Sequence, residues 1–375
     1  MSKMLNILIE GDYIDSFIYS GVLFLVDSNL ILRAYSWQGV FDRSISNLNF
    51  AIQFDLQKYA KGQILKINDD LKQTFSISQE VLSEYEFCSK ELFVWPSDIN
   101  IYKNRFYIAS ENGVDLLDFD WNSGAISKFN QAHRIFNEVS FKLATSSFYR
   151  LAIAAGKSGV LSVTPDQRHV KGSHIKQIIE TPCVDCQWQN NSLIASTING
   201  QFKASFLPIP KKIDFHGTEK EYWSEVNVIK KTPPKIVSSH DINNHKIITS
   251  WFVDHDVFSV TENLQLYLSK NGDLSKAELI DIGSELSTLQ YFKAQSSAFG
   301  TIMEVGDELK LFTDNKEQKK IAQEVVNWRL FPKSTDYQNH LHVVTDDYIS
   351  ISLFDMPESN QSSKFGYQKS KNINI

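Results

Sequence analysis

Three short stretches carry side chains that could do chemistry. Cys183-Val-Asp-Cys186 sets two thiols at the spacing used by zinc sites and redox centres. A zinc site needs two further ligands, and a redox pair needs a helix N-terminus behind its first cysteine to lower the thiol pKa. Here the pair opens a β-forming run, no second Cys-x-x-Cys occurs, and the remaining cysteine is Cys88. His340-Leu-His342 puts two imidazoles on one face of a strand, where they can chelate a metal, with Asp346 and Asp347 in the adjoining turn. Carboxylates in a hairpin turn are ordinary turn residues, so no metal is expected. Asp254-His255-Asp256 places an imidazole beside carboxylates, as a tuned general base requires. Turn chemistry explains these three as well. P-loop, G-x-S-x-G, G-x-G-x-x-G and H-E-x-x-H motifs are absent. No catalytic, metal or cofactor-binding residue is assigned, and no cofactor is expected.

The elements that must position these stretches repeat along the chain. Residues 104–121, NRFYIASENGVDLLDFDW, read as strand, tight turn, strand. Asn112-Gly113 is a pair that tolerates φ > 0 at both central positions of a type I′ hairpin. In the second strand Val114, Leu116 and Asp118 point one way, while Asp115, Leu117, Phe119 and Trp121 point the other. Neither face is purely polar, as in a strand packed between neighbouring sheets. Residues 150–163 and 192–206 repeat the plan. In these three copies Ala109, Ala155 or Ser196 stands four positions before the turn glycine (Gly113, Gly159, Gly200), where a small side chain relieves crowding. Weaker copies begin at Phe17, Ile64, Lys246, Ala298 and His340. The eight turn regions fall near residues 28, 69, 112, 158, 199, 255, 306 and 346, about 40 to 45 residues apart with two longer gaps. A four-stranded propeller blade takes about that length.

The pattern resembles the β-propeller superfamily, WD40-like in spacing. The resemblance covers nearly the whole chain and is architectural. A Gly-His…Trp-Asp signature is absent, and glycine is sparse at 16 residues. It implies an all-β fold: a single β-propeller of seven or eight four-stranded blades over residues 1–356. Eight hairpins are counted, and an N-terminal strand completing the last blade would bring the number to seven. Residues 357–375, rich in Ser, Asn, Gln and Lys, read as a polar, disordered tail.

Composition narrows the function classes. Hydrophobic residues make up 42% and aromatics 12%, ample for a core. The net charge of −6 is spread without long blocks, which argues against general nucleic-acid binding. The N-terminal stretch lacks an apolar run of signal-peptide type, and the longest apolar run, residues 21–26, is far short of a membrane span. Three cysteines make no disulfide framework. These features read as a soluble, cytoplasmic protein with no membrane partner.

The largest departure from the repeat lies between Phe206 and His240. Prolines bound it, and residues 216–231 can form a short amphipathic helix with Tyr222, Trp223, Val226 and Ile229 on its apolar face. Thr218 is placed as N-cap, with Glu221 at the capping-box position. Long insertions in propellers lie on the surface and often carry contacts. The expected function is a non-enzymatic protein–protein interaction module or scaffold subunit. Its partner-binding residues are placed at Tyr222, Trp223, Trp251, Asp254, His255 and Asp256. The alternative is a hydrolase or lyase with a site in the central channel. A second alternative is a nucleic-acid-associated subunit using lysines and arginines from separate blades.

Overall fold

A computed structural model describes residues 4–68, 71, 73–122, 125–146, 150–164, 174–282, 292–314, 318–357 and 364–366. Runs of β-branched and aromatic residues, cut by Gly, Asn and Asp turns, become strands throughout. The chain opens with β1 (Met4–Glu10). β2 (Tyr13–Tyr19), β3 (Val22–Asp27) and β4 (Ile31–Ser36) follow and are joined by β6 (Glu86–Glu91), while β5 (Thr74–Ile77) belongs to another sheet. The second sheet holds β7 (Asp98–Ile101), β8 (Arg105–Ser110) and β9 (Gly113–Asn122), with β10 (Ala125–Phe129) and β11 (His133–Phe136) on β9. The third runs β12 (Lys142–Thr145), β13 (Leu151–Ala154), β14 (Val160–Thr164), β15 (His174–Ile179). The fourth runs β16 (Cys183–Gln189), β17 (Ser192–Thr197), β18 (Gly200–Ser205), β19 (Lys235–Ser239). The fifth adds a short β20 (Asp241–Ile242) to β21 (His245–Val253), β22 (Asp256–Thr261), β23 (Leu266–Ser269) and β24 (Ala277–Ile280). The sixth runs β25 (Phe292–Ser297), β26 (Gly300–Val305), β27 (Glu308–Phe312), β28 (Gln318–Gln323). The last has the order β29 (Asn327–Leu330), β30 (His340–Val344), β31 (Tyr348–Phe354), β1, β5.

The chain is a seven-bladed β-propeller. Seven is reached in two ways at once. β1 completes the last blade, antiparallel to β31 with Leu5 opposite Leu353 and Ile9 opposite Ile349. The hairpin expected around residue 69 is not formed among the described residues. Leu65 and Ile67 instead run beside the last blade, where the Leu65 carbonyl accepts from the Met356 amide at 2.8 Å. Thr74–Ile77 then lies parallel to β1 as a fifth strand. The turn at Asn112 also differs from expectation. Positive φ falls on Gly113 (124°) and not on Asn112. Gly113 already pairs with Ser110, and a Cβ there would lie 2.0 Å from the Phe136 carbonyl oxygen. Glycine is needed because β11 crosses so closely.

Packing divides the chain into two compact units. One contains Met1–Phe93, Phe119–Asn130 and Asp281–Ile375, the other Val94–Asp118 and Gln131–Ile280. In the second unit, neighbouring sheets meet face to face through small residues. Ala109 and Val114 pack with Ile153, Ala155 and Val163. Ala152 and Ala154 pack with Cys186, Ala195 and Ala204. The small residues before the turn glycines therefore serve sheet stacking.

In the first unit, the connection between β4 and β6 holds α1 (Trp37–Ser44), α2 (Phe50–Ala60) and α3 (Gln79–Ser83). Residues 37–49 read in sequence as a polar turn region. Instead, Ser36 and Asn49 cap α1 and α2 by accepting from the Gly39 and Ile52 amides. Trp37, Val40, Phe41, Leu56 and Tyr59 bury themselves against Leu5, Ile7 and Ile351. The last carbonyls of α2 have no partner within the helix, and the last blade supplies donors for them. The Asn339 side-chain amide donates to the Tyr59 carbonyl (3.0 Å), and His340 Nε2 donates to the Ala60 carbonyl (2.8 Å).

The same blade is clasped to β2. The Asp15 carboxylate takes two hydrogen bonds from Arg329, from Nε and Nη2, each at 2.6 Å. The Arg329 guanidinium lies 3.9 Å from the Phe17 ring centroid. Beside it, Ser16 Oγ is 2.7 Å from His342 Nδ1. Removing one partner of so buried a pair typically costs about 3–5 kcal/mol, because the other charge is stranded. Part of the expected tail is placed as well. Phe365 is buried, its carbonyl accepts from Thr301 Oγ1 at 2.6 Å, and the Lys364 amide donates to Asp314. The rest of the expected tail, 358–363 and 367–375, lies outside the described residues.

Burial pulls His340 down to about 4 and His342 well below the usual imidazole value, the latter aided by His340 and Arg329. Both are neutral in the folded protein, whereas the unfolded chain takes up protons near the ordinary value of about 6.5. Their contribution is therefore complete above that pH and is lost as pH falls from there towards 4. Urea midpoints measured at pH 7.5, 6.0 and 5.0 should drop steadily. The His340→Gln/His342→Gln variant should show a shallower drop, by up to about 1.4 kcal/mol per pH unit for each histidine. Equal slopes in the two proteins would show that these histidines do not drive the loss.

Candidate protein-binding site

The insertion between β18 and β19 forms the expected helix. α4 (Glu219–Lys231) starts at Thr218, whose hydroxyl accepts from the Glu221 amide while the Glu221 carboxylate accepts from the Thr218 amide. This reciprocal capping satisfies two amides at the helix start. Glu219 and Glu221 lie in the first turn and Lys230 and Lys231 in the last, which suits the helix dipole. Tyr222 and Val226 face inwards with Ile209, and Phe215 and Ile229 complete a small separate core. The Tyr222 hydroxyl donates to the Pro210 carbonyl at 3.1 Å.

Two contacts fix the helix further. Arg150, fully buried immediately before β13, donates from Nη2 to the Ile229 carbonyl at 3.5 Å. Its guanidinium lies 4.6 Å from the Phe206 ring centroid, and burial lowers its pKa to about 10. Trp223 packs edge-on against Tyr222, with ring centroids 5.1 Å apart. It remains 40% exposed, and its indole N–H reaches the Glu219 carboxylate at 3.4 Å. At 100° per residue, Glu219, Lys220, Asn227, Lys230 and Lys231 fall on the Trp223 side of α4, and Glu221 and Glu225 fall on the opposite side. α4 thus shows solvent one aromatic ring set among lysines and the Glu219 carboxylate.

The other expected contact residues divide. Tyr222 is buried and supports Trp223 rather than meeting solvent. Trp251 is fully buried, 5.4 Å from the Phe258 ring, so it is a core residue and not a surface anchor. It sits in a strand covered on both faces, which sequence alone cannot distinguish from a strand with one bare face. Asp254 and His255 fill the turn from β21 to β22, with Asp254 at φ 53°. The His255 side chain is 67% exposed. Asp256 accepts from Lys270 Nζ at 2.7 Å and from the Asn271 amide at 2.9 Å, which ties this turn to the loop after β23. In a propeller blade, first-to-second and third-to-fourth connections open at one end. The Asp254–His255 turn and the α4 insertion are of these two kinds, so the topology turns both to the same face.

The stretches with catalytic potential do not assemble. Cys183 and Cys186 are buried, and burial raises Cys183 to about 12 and Cys186 well above the usual thiol value. Both are therefore held as neutral thiols. His340 and His342 point into the core, whereas Asp346 and Asp347 are exposed in the turn after β30. Among the described residues, no group of three His, Cys, Asp or Glu side chains is placed to hold a metal ion. A cleft of about 310 Å³ in the first unit is lined by neutral side chains, including Asn6, Thr74, Tyr348, Ser350 and Ser352 over Leu8 and Val343. It presents no carboxylate or imidazole. Among the described residues, no helix is long and apolar enough to cross a membrane. Sequence does not single out Arg150 or the Asp15–Arg329 clasp, since each depends on partners far away in the chain.

No protein-family model and no curated protein matches the chain. Several solved structures are similar in fold. PorZ of Porphyromonas gingivalis, described as an essential bacterial surface component of the type-IX secretion system, aligns over 96% of this chain at 13% identity and a TM-score of 0.48. The chain spans only 39% of PorZ. A chain of the mitotic checkpoint complex aligns over 94% of this chain and 87% of its own, at 10% identity and a TM-score of 0.46. The Neurospora crassa Pan2 WD40 domain aligns over 94% and 91%, at 8% identity and a TM-score of 0.46.

The burial of the two tryptophans sets their expected costs apart. Trp251→Ala should destabilise by about 3–5 kcal/mol through the cavity it leaves. Trp223→Ala should cost less than about 1 kcal/mol, since the ring is partly solvated and Tyr222 and Val226 stay in place. Chemical denaturation of both variants checks this. A Trp223→Ala loss as large as that of Trp251→Ala would make Trp223 a core residue.

Proposed function

We propose that the protein is a non-enzymatic interaction module whose contact face carries α4. The propeller fold is consistent with that role. The observation that carries the reading is Trp223. It is a large aromatic held half-exposed on a capped helix, flanked by lysines and by Glu219, and it does not complete the core. Aromatic anchors on rigid elements dominate the energetics of protein interfaces because they bury much area at little entropic cost. The exposed turn at Asp254–His255 opens on the same face and extends the contact area. The partner is a protein presenting a pocket for the indole and carboxylates for the surrounding lysines. The three free thiols fit a reducing compartment, and a cytoplasmic location is part of the proposal.

Affinity capture of the tagged chain, followed by reconstitution with the purified partner, tests the reading. Trp223→Ala should weaken the reconstituted complex by at least about tenfold, the minimum expected of a hot-spot residue. His255→Ala should weaken it less. A partner that binds Trp223→Ala and wild type equally would move the contact away from α4, and turnover of a small molecule with no stoichiometric partner would sink the interaction reading.

A further inference from the structure

The outer edges of the blades are of two kinds. The pairings β4–β6, β9–β10, β9–β11, β14–β15 and β27–β28 each contain a register shift. Such irregularities twist an edge and discourage further pairing. The pairings β31–β1, β18–β19 and β23–β24 run without a shift. The regular edge at β1 is covered, because Thr74–Ile77 adds to it as a parallel fifth strand. The chain therefore already extends one regular edge with a short, extended segment. Of the two others, β24 turns Ile280 inwards.

β19 is bare. Lys235, Ile236, Val237 and Ser238 are all exposed, although successive side chains point to opposite faces. Ile236 is 44% and Val237 50% exposed, so an aliphatic β-branched side chain meets water on each face. Among the described residues β19 pairs with β18 alone. Lys231 and Lys235 flank the Thr232-Pro233-Pro234 link into this strand, and neither meets a carboxylate among the described residues. A regular edge, two bare aliphatic side chains and two such lysines are complementary to an extended chain carrying acidic residues. A second copy of this chain would instead double the positive charge along the edge.

We propose that β19 is a docking edge for an extended acidic segment of a partner protein, which adds as a fifth strand. Its aliphatic side chains cover Ile236 and Val237, and its carboxylates meet Lys231 and Lys235. This rests on the interaction role proposed above and names a mode of contact for it.

The test uses the full chain and three labelled, capped decapeptides of alternating valine and threonine, ending in two aspartates, two serines or two lysines. Fluorescence anisotropy should show the aspartate peptide binding at least about tenfold tighter than the lysine peptide. Ile236→Glu/Val237→Glu should reduce its affinity by a similar factor without lowering the melting temperature, since both side chains are exposed. Absence of binding, equal affinity for the three peptides, or equal affinity of the double variant would overturn the proposal. So would a concentration-dependent dimer in sedimentation that the double variant abolishes, which would assign the edge to a second copy. If the peptides fail while a partner still depends on Trp223, the docking edge is wrong and the interaction role stands.

Discussion

The pairing of β1 with β31 is the constraint on which the first unit depends. Residues from the two ends of the sequence lie opposite one another from Met4–Phe354 to Glu10–Tyr348. The entropy of bringing such distant segments together grows only slowly with the length between them, so a modest set of contacts suffices. Those contacts are concentrated here. Leu5, Ile7 and Ile9 are fully buried from β1, as are Ile349, Ile351 and Leu353 from β31. The Asp15–Arg329 clasp then ties the next strand to the same blade, and Arg329 stacks on Phe17. A buried ion pair adds little net stability over an apolar pair, but it penalises arrangements that separate its members.

The two helical insertions use the same type of connection differently. α1 and α2 are absorbed into the core beside β1, and Asn339 and His340 close the end of α2. α4 carries a core of its own and is secured by Arg150 at its C-terminal end. Its polar and aromatic side is left to solvent. A helix that buries only Tyr222 and Val226 contributes little to the propeller, which leaves its outer surface free to serve recognition.

Much of the architecture is legible in the sequence because glycine turns and alternating apolar residues are local signals. The turns at Gly113, Gly159 and Gly200 lie where the repeat places them, and the Thr218–Glu221 capping box reads directly from its spacing. The hairpin expected near residue 69 is not formed among the described residues, because Leu65 and Ile67 alternate like a strand but lie beside Met356, a partner invisible in sequence. Trp251 misleads for a related reason: an aromatic in a strand carries no mark of which face is covered. The clasp leaves only a faint trace. Asp15, Asp185 and Thr249 each follow a register shift in the first pairing of their blade, yet the shift itself cannot be seen without the partner strand. The site is less legible than the fold. Among the expected contact residues, exposure separates Trp223 and His255 from Tyr222 and Trp251, and nothing local in the sequence marks that difference.

Native-state hydrogen exchange on residues 4–10 tests the closure most directly. The account predicts that the β1 amides exchange as slowly as those of β30 and β31, opening only with the unit as a whole. Rapid exchange across β1 while β30 and β31 stay protected would contradict it, showing a frayed terminus rather than the strand that completes the last blade.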